Sequence, residues 1–144
     1  MATRTATTRW EGDLQQGTGH VELRSSGAAS FDVTFPRRIG EPEGTTSPEE
    51  LIAGALSSCL AMNFSGVLGK NGLAAEFVDV QADVTVERVE GGLSISSADV
   101  TLRAKVDGVD EARFTELAEL AHSTCPVKKA LAGTTSTLRA ELVA

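Results

Sequence analysis

The sequence predicts an α+β domain with the element order β-β-β-α-β-β-α-α-β. Three observations carry that reading. The 19 residues from Leu51 to Gly69 contain no charge and follow a helix-start signal. Residues 78–86 alternate apolar with polar side chains, the period of a half-buried strand. Short strand-like runs broken by glycine and proline fill the first third. At 144 residues the chain has the length of one domain, 1–144, with enough buried surface for a real core.

The elements follow in order. Thr3 to Trp10 alternates polar β-formers, Gly17-Thr18-Gly19 suggests a turn, and Val21 and Leu23 share one face of the next strand. Phe31, Val33 and Phe35 alternate with Asp32 and Thr34 until Pro36 ends the run. Pro36 to Thr46 reads as a loop carrying the arginine doublet Arg37-Arg38. Ser47-Pro48-Glu49-Glu50 is a capping box with proline at the first helical position and acids where the helix dipole favours them. The helix stops at Lys70-Asn71-Gly72. Val78 to Val86 forms a strand, Glu90-Gly91-Gly92 turns the chain, and the return strand changes parity between Ile95 and Val100, so a bulge is expected near Ser96-Ser97. Asp107-Gly108 closes that hairpin. Asp110 caps a second helix through Phe114, Leu117, Leu120 and Ala121. Cys125-Pro126 breaks it and starts a short helix from Val127 to Ala132, and Thr134 to Val143 is a closing strand.

Composition excludes several function classes. Thirteen Lys and Arg against twenty Asp and Glu leave a net charge of −7, with no cation excess to displace counterions from phosphates. Aromatics are 4%, without tyrosine, so base-stacking platforms are missing as well. Nucleic acid is therefore not an expected partner. Two cysteines are too few for a secreted disulfide scaffold, and no apolar signal segment opens the sequence, which points to the cytoplasm. The uncharged run approaches membrane-spanning length, but Ser57, Ser58, Asn63 and Ser65 lower its hydropathy. Burial between protein surfaces explains a helix that is uncharged all round, and no membrane is expected.

Chemistry concentrates on the two thiols. Cys59 alone reads as a small buried hydrophobe. Cys125 precedes Pro126 at a helix start, where free N–H groups and the dipole lower a thiol pKa below its ordinary ~8.5. Together they suggest a peroxidatic and resolving pair. A thiolate needs a cation, for which Arg37 and Arg38 are candidates against a plain role as solvated loop charges. Glu49 or Glu50 can hold the guanidinium, against a plain role in capping. Cys59, His122 and Cys125, with His20, make an incomplete zinc set, so no metal is expected. Asn63-Phe64-Ser65 matches a glycosylation sequon but lies within the helix.

The run from Gly44 to Met62, with Thr45, Pro48, Glu49, Leu51 and Cys59 at their spacings, and the later Cys125-Pro126-Val127 resemble the OsmC/Ohr family of thiol peroxidases. The Cys-Pro-Val form and the length resemble the OsmC branch more than the Ohr branch. The resemblance implies an OsmC-like fold: an intertwined homodimer with long central helices against wrapped antiparallel sheets. It implies reduction of organic hydroperoxides, and of hydrogen peroxide less well, in stress defence without any cofactor. Cys59 falls on the peroxidatic position and Cys125 on the resolving one, so the pair would close to a disulfide that a lipoyl-type dithiol reduces. Glu49 matches the active-site glutamate and Arg38 the arginine, with Arg37 open because the doublet leaves the alignment ambiguous. Leu56, Leu60 and Phe64 are expected to line an apolar site for alkyl peroxides. Glu49 and Cys59 are ten residues apart, about 15 Å along a straight helix, so Glu49 is expected to act on the other subunit's Cys59. The alternative is a non-catalytic small-ligand-binding or redox-sensing module on the same scaffold.

Overall fold

The computed structural model describes residues 1–144, which form two compact units, Met1–Leu51 and Ile52–Ala144. In the first, β1 (Thr7–Glu11), β2 (Thr18–Glu22) and β3 (Ser30–Val33) make an antiparallel meander in the order β1-β2-β3. Close approach explains the glycines at the start of β2. A Cβ on Gly17 would stand 2.3 Å from the Asp13 carbonyl oxygen and 2.6 Å from that of Glu11, and one on Gly19 2.7 Å from Val33 Cγ2 and 2.9 Å from the Trp10 ring, so only glycine fits at either position.

The segment from Pro36 departs from the expected loop. Phe35–Ile39 is a short helix, α1, in which Pro36 occupies the first turn and its preset φ starts helical backbone. The Arg38 N–H bonds the Thr34 carbonyl at 3.1 Å. Both arginines therefore stand on a helical turn. The remaining loop turns at Glu43 and Gly44, both with positive φ.

Helix α2 runs from Pro48 to Lys70. Ser47 Oγ accepts from the Glu50 N–H at 3.2 Å, as the capping box requires, while the Glu50 carboxylate takes the Thr46 hydroxyl instead of reaching back to Ser47. At the other end the Leu73 N–H returns to the Leu68 carbonyl at 3.0 Å across Gly72, whose φ of 70° only glycine adopts freely.

In the second unit β4 (Ala75–Val89) and β5 (Gly92–Val106) form a long antiparallel hairpin, turned at Glu90-Gly91. Its register shifts where Thr85 faces Ser97 and Val86 faces Ile95, leaving Ser96 as the bulged residue. That bulge reconciles the change of apolar parity. The Asp107-Gly108 turn leads into α3 (Glu111–Thr124) rather than closing the hairpin. Asp110 caps α3 through the Arg113 N–H. Helix α4 spans Pro126–Ala130, and β6 (Leu138–Leu142) is shorter than expected and pairs parallel with β5. The core joins one face of α2 (Leu56, Leu60, Phe64, Leu68) to Val100, Leu102, Phe114 and Leu117. Phe64 meets Phe114 edge-on at 5.5 Å between ring centres.

Candidate active site

The second unit places the two cysteines together. Cys59 sits half-buried in the middle of α2, and Cys125 is fully buried at the junction of α3 and α4. Their sulfurs are 3.1 Å apart, with the Cys125 thiol directed at Cys59 Sγ. That is about 1 Å longer than a disulfide bond, so closure needs little movement. Pro126 makes this geometry: the residue before a proline is pushed out of helical backbone, and Cys125 takes φ −61°, ψ 121°. The Cys125 N–H returns to the His122 carbonyl at 3.3 Å.

The electrostatics reverse one expectation. The sequence predicts that the start of α4 lowers the Cys125 pKa. Instead burial pushes the Cys125 thiol up, opposed by the N–H groups of Lys128 and Val127 and reinforced by the contact with Cys59. Five residues of helix do not offset the loss of water around a fully buried sulfur. Nearby, the buried His122 ring shares a 3.0 Å hydrogen bond with Ser136 Oγ, and burial, then Lys128, lowers its pKa.

The first unit pairs Arg38 with Glu49. Arg38 Nε lies 3.1 and 3.2 Å from the two Glu49 oxygens, and Nη2 2.7 Å from Oε1. This fork-on-carboxylate geometry is the strong form of an ion pair. Glu49 is only 5% exposed, whereas the Arg38 side chain keeps a third of its surface open. The hydrogen bond to Glu49 raises the Arg38 pKa further, so the guanidinium stays charged. Arg37 goes elsewhere, to Glu43 and the Glu41 carbonyl. Of the doublet, Arg38 is thus the partner of Glu49.

Leu56, Leu60 and Phe64 are placed differently from expectation. All three have no exposed surface and fill the core, because they share the inward face of α2. They back the helix that carries Cys59 rather than lining an opening. The outward face holds Gly54, Ala55, Ser58, Met62 and Ser65, small and uncharged, with Met62 70% exposed. Asn63, set aside in the sequence as a sequon, bonds the end of α3. A polar residue one turn from Cys59 on an uncharged helix was the signal that could have singled it out.

Comparison with known proteins agrees with this architecture. The family model for OsmC-like proteins matches residues 40–139. Peroxiredoxin OsmC of Escherichia coli (strain K12) is 34% identical over 122 residues, covering 85% of each chain. Among solved structures, the organic hydroperoxide resistance protein OsmC of Legionella pneumophila superposes with a TM-score of 0.77 at 26% identity, covering 99% of this chain and 98% of that one. OhrB of Bacillus subtilis gives 0.74 at 24% identity, over 97% and 98%, a likeness of fold. The match to Peroxiredoxin OsmC, on a shared α+β architecture, makes this a redox enzyme of the peroxidase class. The chain belongs to the OsmC-like protein family.

Proposed function

We propose that this protein reduces organic hydroperoxides through Cys59 and Cys125, and hydrogen peroxide less well. The observation that carries the reading is the 3.1 Å approach of a half-buried thiol to a fully buried one. A Cys59 thiolate attacks the outer oxygen of the hydroperoxide. The O–O bond breaks, the alcohol leaves with a proton, and Cys59 becomes a sulfenic acid. Cys125 sulfur then attacks Cys59 Sγ, the S–O bond breaks, water leaves, and the disulfide forms. An external dithiol, of the lipoyl type, restores both thiols by exchange and leaves as its own disulfide.

Arg38 supplies the positive charge that the thiolate and the peroxide oxygens need, and Glu49 holds its guanidinium in one orientation. Helix α2 is unbroken from Pro48 to Lys70, and ten residues of helical rise amount to about 15 Å. Arg38 and Glu49 therefore serve Cys59 of a second copy, in a homodimer. The uncharged, exposed face of α2 supports that pairing. A groove of about 450 Å³ beside it, lined by Ser57, Ala61, Val80 and Arg103, gives a partner further surface to fill. The family match across residues 40–139 spans the boundary of the two units and supports 1–144 acting as one domain. Free thiols suit a reducing cytoplasm.

The test is consumption of cumene hydroperoxide by the pre-reduced protein. Wild type is expected to consume about one equivalent and close the disulfide. Cys59→Ser consumes none, whereas Cys125→Ser consumes the peroxide but stops at the sulfenic acid. Arg38→Met and Glu49→Gln slow the first step on the order of 10²-fold. No consumption by wild type with both thiols intact would leave the fold and move the function to ligand binding.

A further inference from the structure

Asn63 follows Cys59 by one helical turn, so the two side chains leave α2 on the same side. Its amide spans to the end of α3. Nδ2 donates to the Ala121 carbonyl at 2.6 Å and to Thr124 Oγ1 at 2.9 Å. The Ala121 carbonyl is among the last four of α3, which lack partners of the ordinary helical kind. The Cys125 N–H takes the His122 carbonyl instead, leaving Ala121 to the side chains. Thr124 is joined directly to Cys125. The start of α3 is tied to α2 by Phe114 on Phe64 and to the turn just after α2 by Arg113 on Asn71, so Asn63 supplies the polar tie at the other end, beside the thiols. An apolar residue would bury surface there equally well. Only a two-donor amide fixes both direction and distance.

We propose that Asn63 is a positioning residue for disulfide closure, holding the α3–α4 junction so that Cys125 Sγ stays within bonding range of Cys59 Sγ. The role rests on the peroxidase reading for the source of the sulfenic acid, but the placement of the thiols does not. In the closing step Cys125 sulfur bonds Cys59 sulfur, the S–O bond breaks, and hydroxide leaves with a proton as water. Without the amide, the last turn of α3 frays and withdraws Cys125. The sulfenic acid then lives longer and is driven on to sulfinic acid by further peroxide.

The test equilibrates the full-length protein with defined ratios of reduced and oxidised glutathione and measures the fraction carrying the Cys59–Cys125 disulfide. Asn63→Ala and the near-isosteric Asn63→Asp are expected to lower the effective concentration of the two thiols roughly tenfold. Thr124→Val, which removes one acceptor, lowers it about threefold. Circular dichroism checks that each variant is folded, and the alkylation rate of Cys59 stays within about twofold of wild type. Effective concentrations of Asn63→Ala and Asn63→Asp within about twofold of wild type overturn the proposal. In a second arm, one equivalent of cumene hydroperoxide is added and dimedone traps sulfenic acid, which persists longer in Asn63→Ala. If wild type consumes no peroxide while the glutathione difference remains, the peroxidase reading falls and the positioning role stands.

Discussion

Two effects compete at the sulfur of Cys125. The start of α4 offers N–H groups that favour a thiolate, while complete burial disfavours it, and burial prevails. A thiol kept protonated beside Cys59 suits a resolving role, since it does not compete for the first attack. His122 shows the same physics with an opposite charge. Its folded pKa lies below the ordinary ~6.5 because burial disfavours imidazolium. Near pH 6.5 the unfolded chain thus binds more protons at this site than the folded one, and stability rises with pH. The contribution is complete above the unfolded value and is lost as pH falls below it. Urea midpoints of wild type are expected to fall between pH 7.5 and 5.5, and His122→Gln to flatten that slope. Parallel slopes in the two proteins would refute the assignment.

Helix α2 carries Glu49, Cys59 and Asn63 in one element. Its start is set by Ser47 and its end by Gly72, so Cys59 is held at a fixed height in a rigid rod. One face is core. Leu60→Ala there removes a side chain with no exposed surface and is expected to cost about 2–5 kcal/mol of unfolding free energy. Denaturant titration measures this directly. A loss under ~1 kcal/mol would mean that the core collapses around the gap. The hairpin illustrates how a local irregularity serves a long element. Ser96 bulges, and β5 regains the parity that turns Val100, Leu102 and Ala104 into the core. Helix α1 was the element hardest to foresee. Five residues containing a proline offer no apolar period, and an X-Pro pair reads equally as the end of a strand.

For the whole molecule, the outward face of α2 is the feature with consequences. A surface of Gly54, Ala55, Ser58, Met62 and Ser65 has no charge to keep it in water, in a chain whose net charge is −7. Sedimentation is expected to show two 15.0 kDa chains associated at micromolar concentration. Met62→Glu, which buries a charge in that contact, should weaken association at least about a hundredfold and lose peroxidase turnover with it. Cys59 and Cys125 should still close to a disulfide with diamide in the separated chain. A wild-type monomer with full turnover would end the idea that Arg38 and Glu49 act on a second copy.

Local patterns in the chain were enough for the α+β class, the limits of α2, the bulge, the cap at Asp110 and the suspicion attached to two cysteines. Each is written within a few residues: a capping box, an alternation of period two, a glycine where φ is positive. Contacts between residues far apart in sequence were decided only by folding. Cys59 and Cys125, 66 positions apart, bring their sulfurs to 3.1 Å, the choice of Arg38 over Arg37 depends on a turn of helix, and Asn63 finds its partners 58 and 61 residues away. The inward position of Leu56, Leu60 and Phe64 belongs with these. A helix uncharged all round shows no preferred face in its sequence, and the sheet and α3 choose which side is buried.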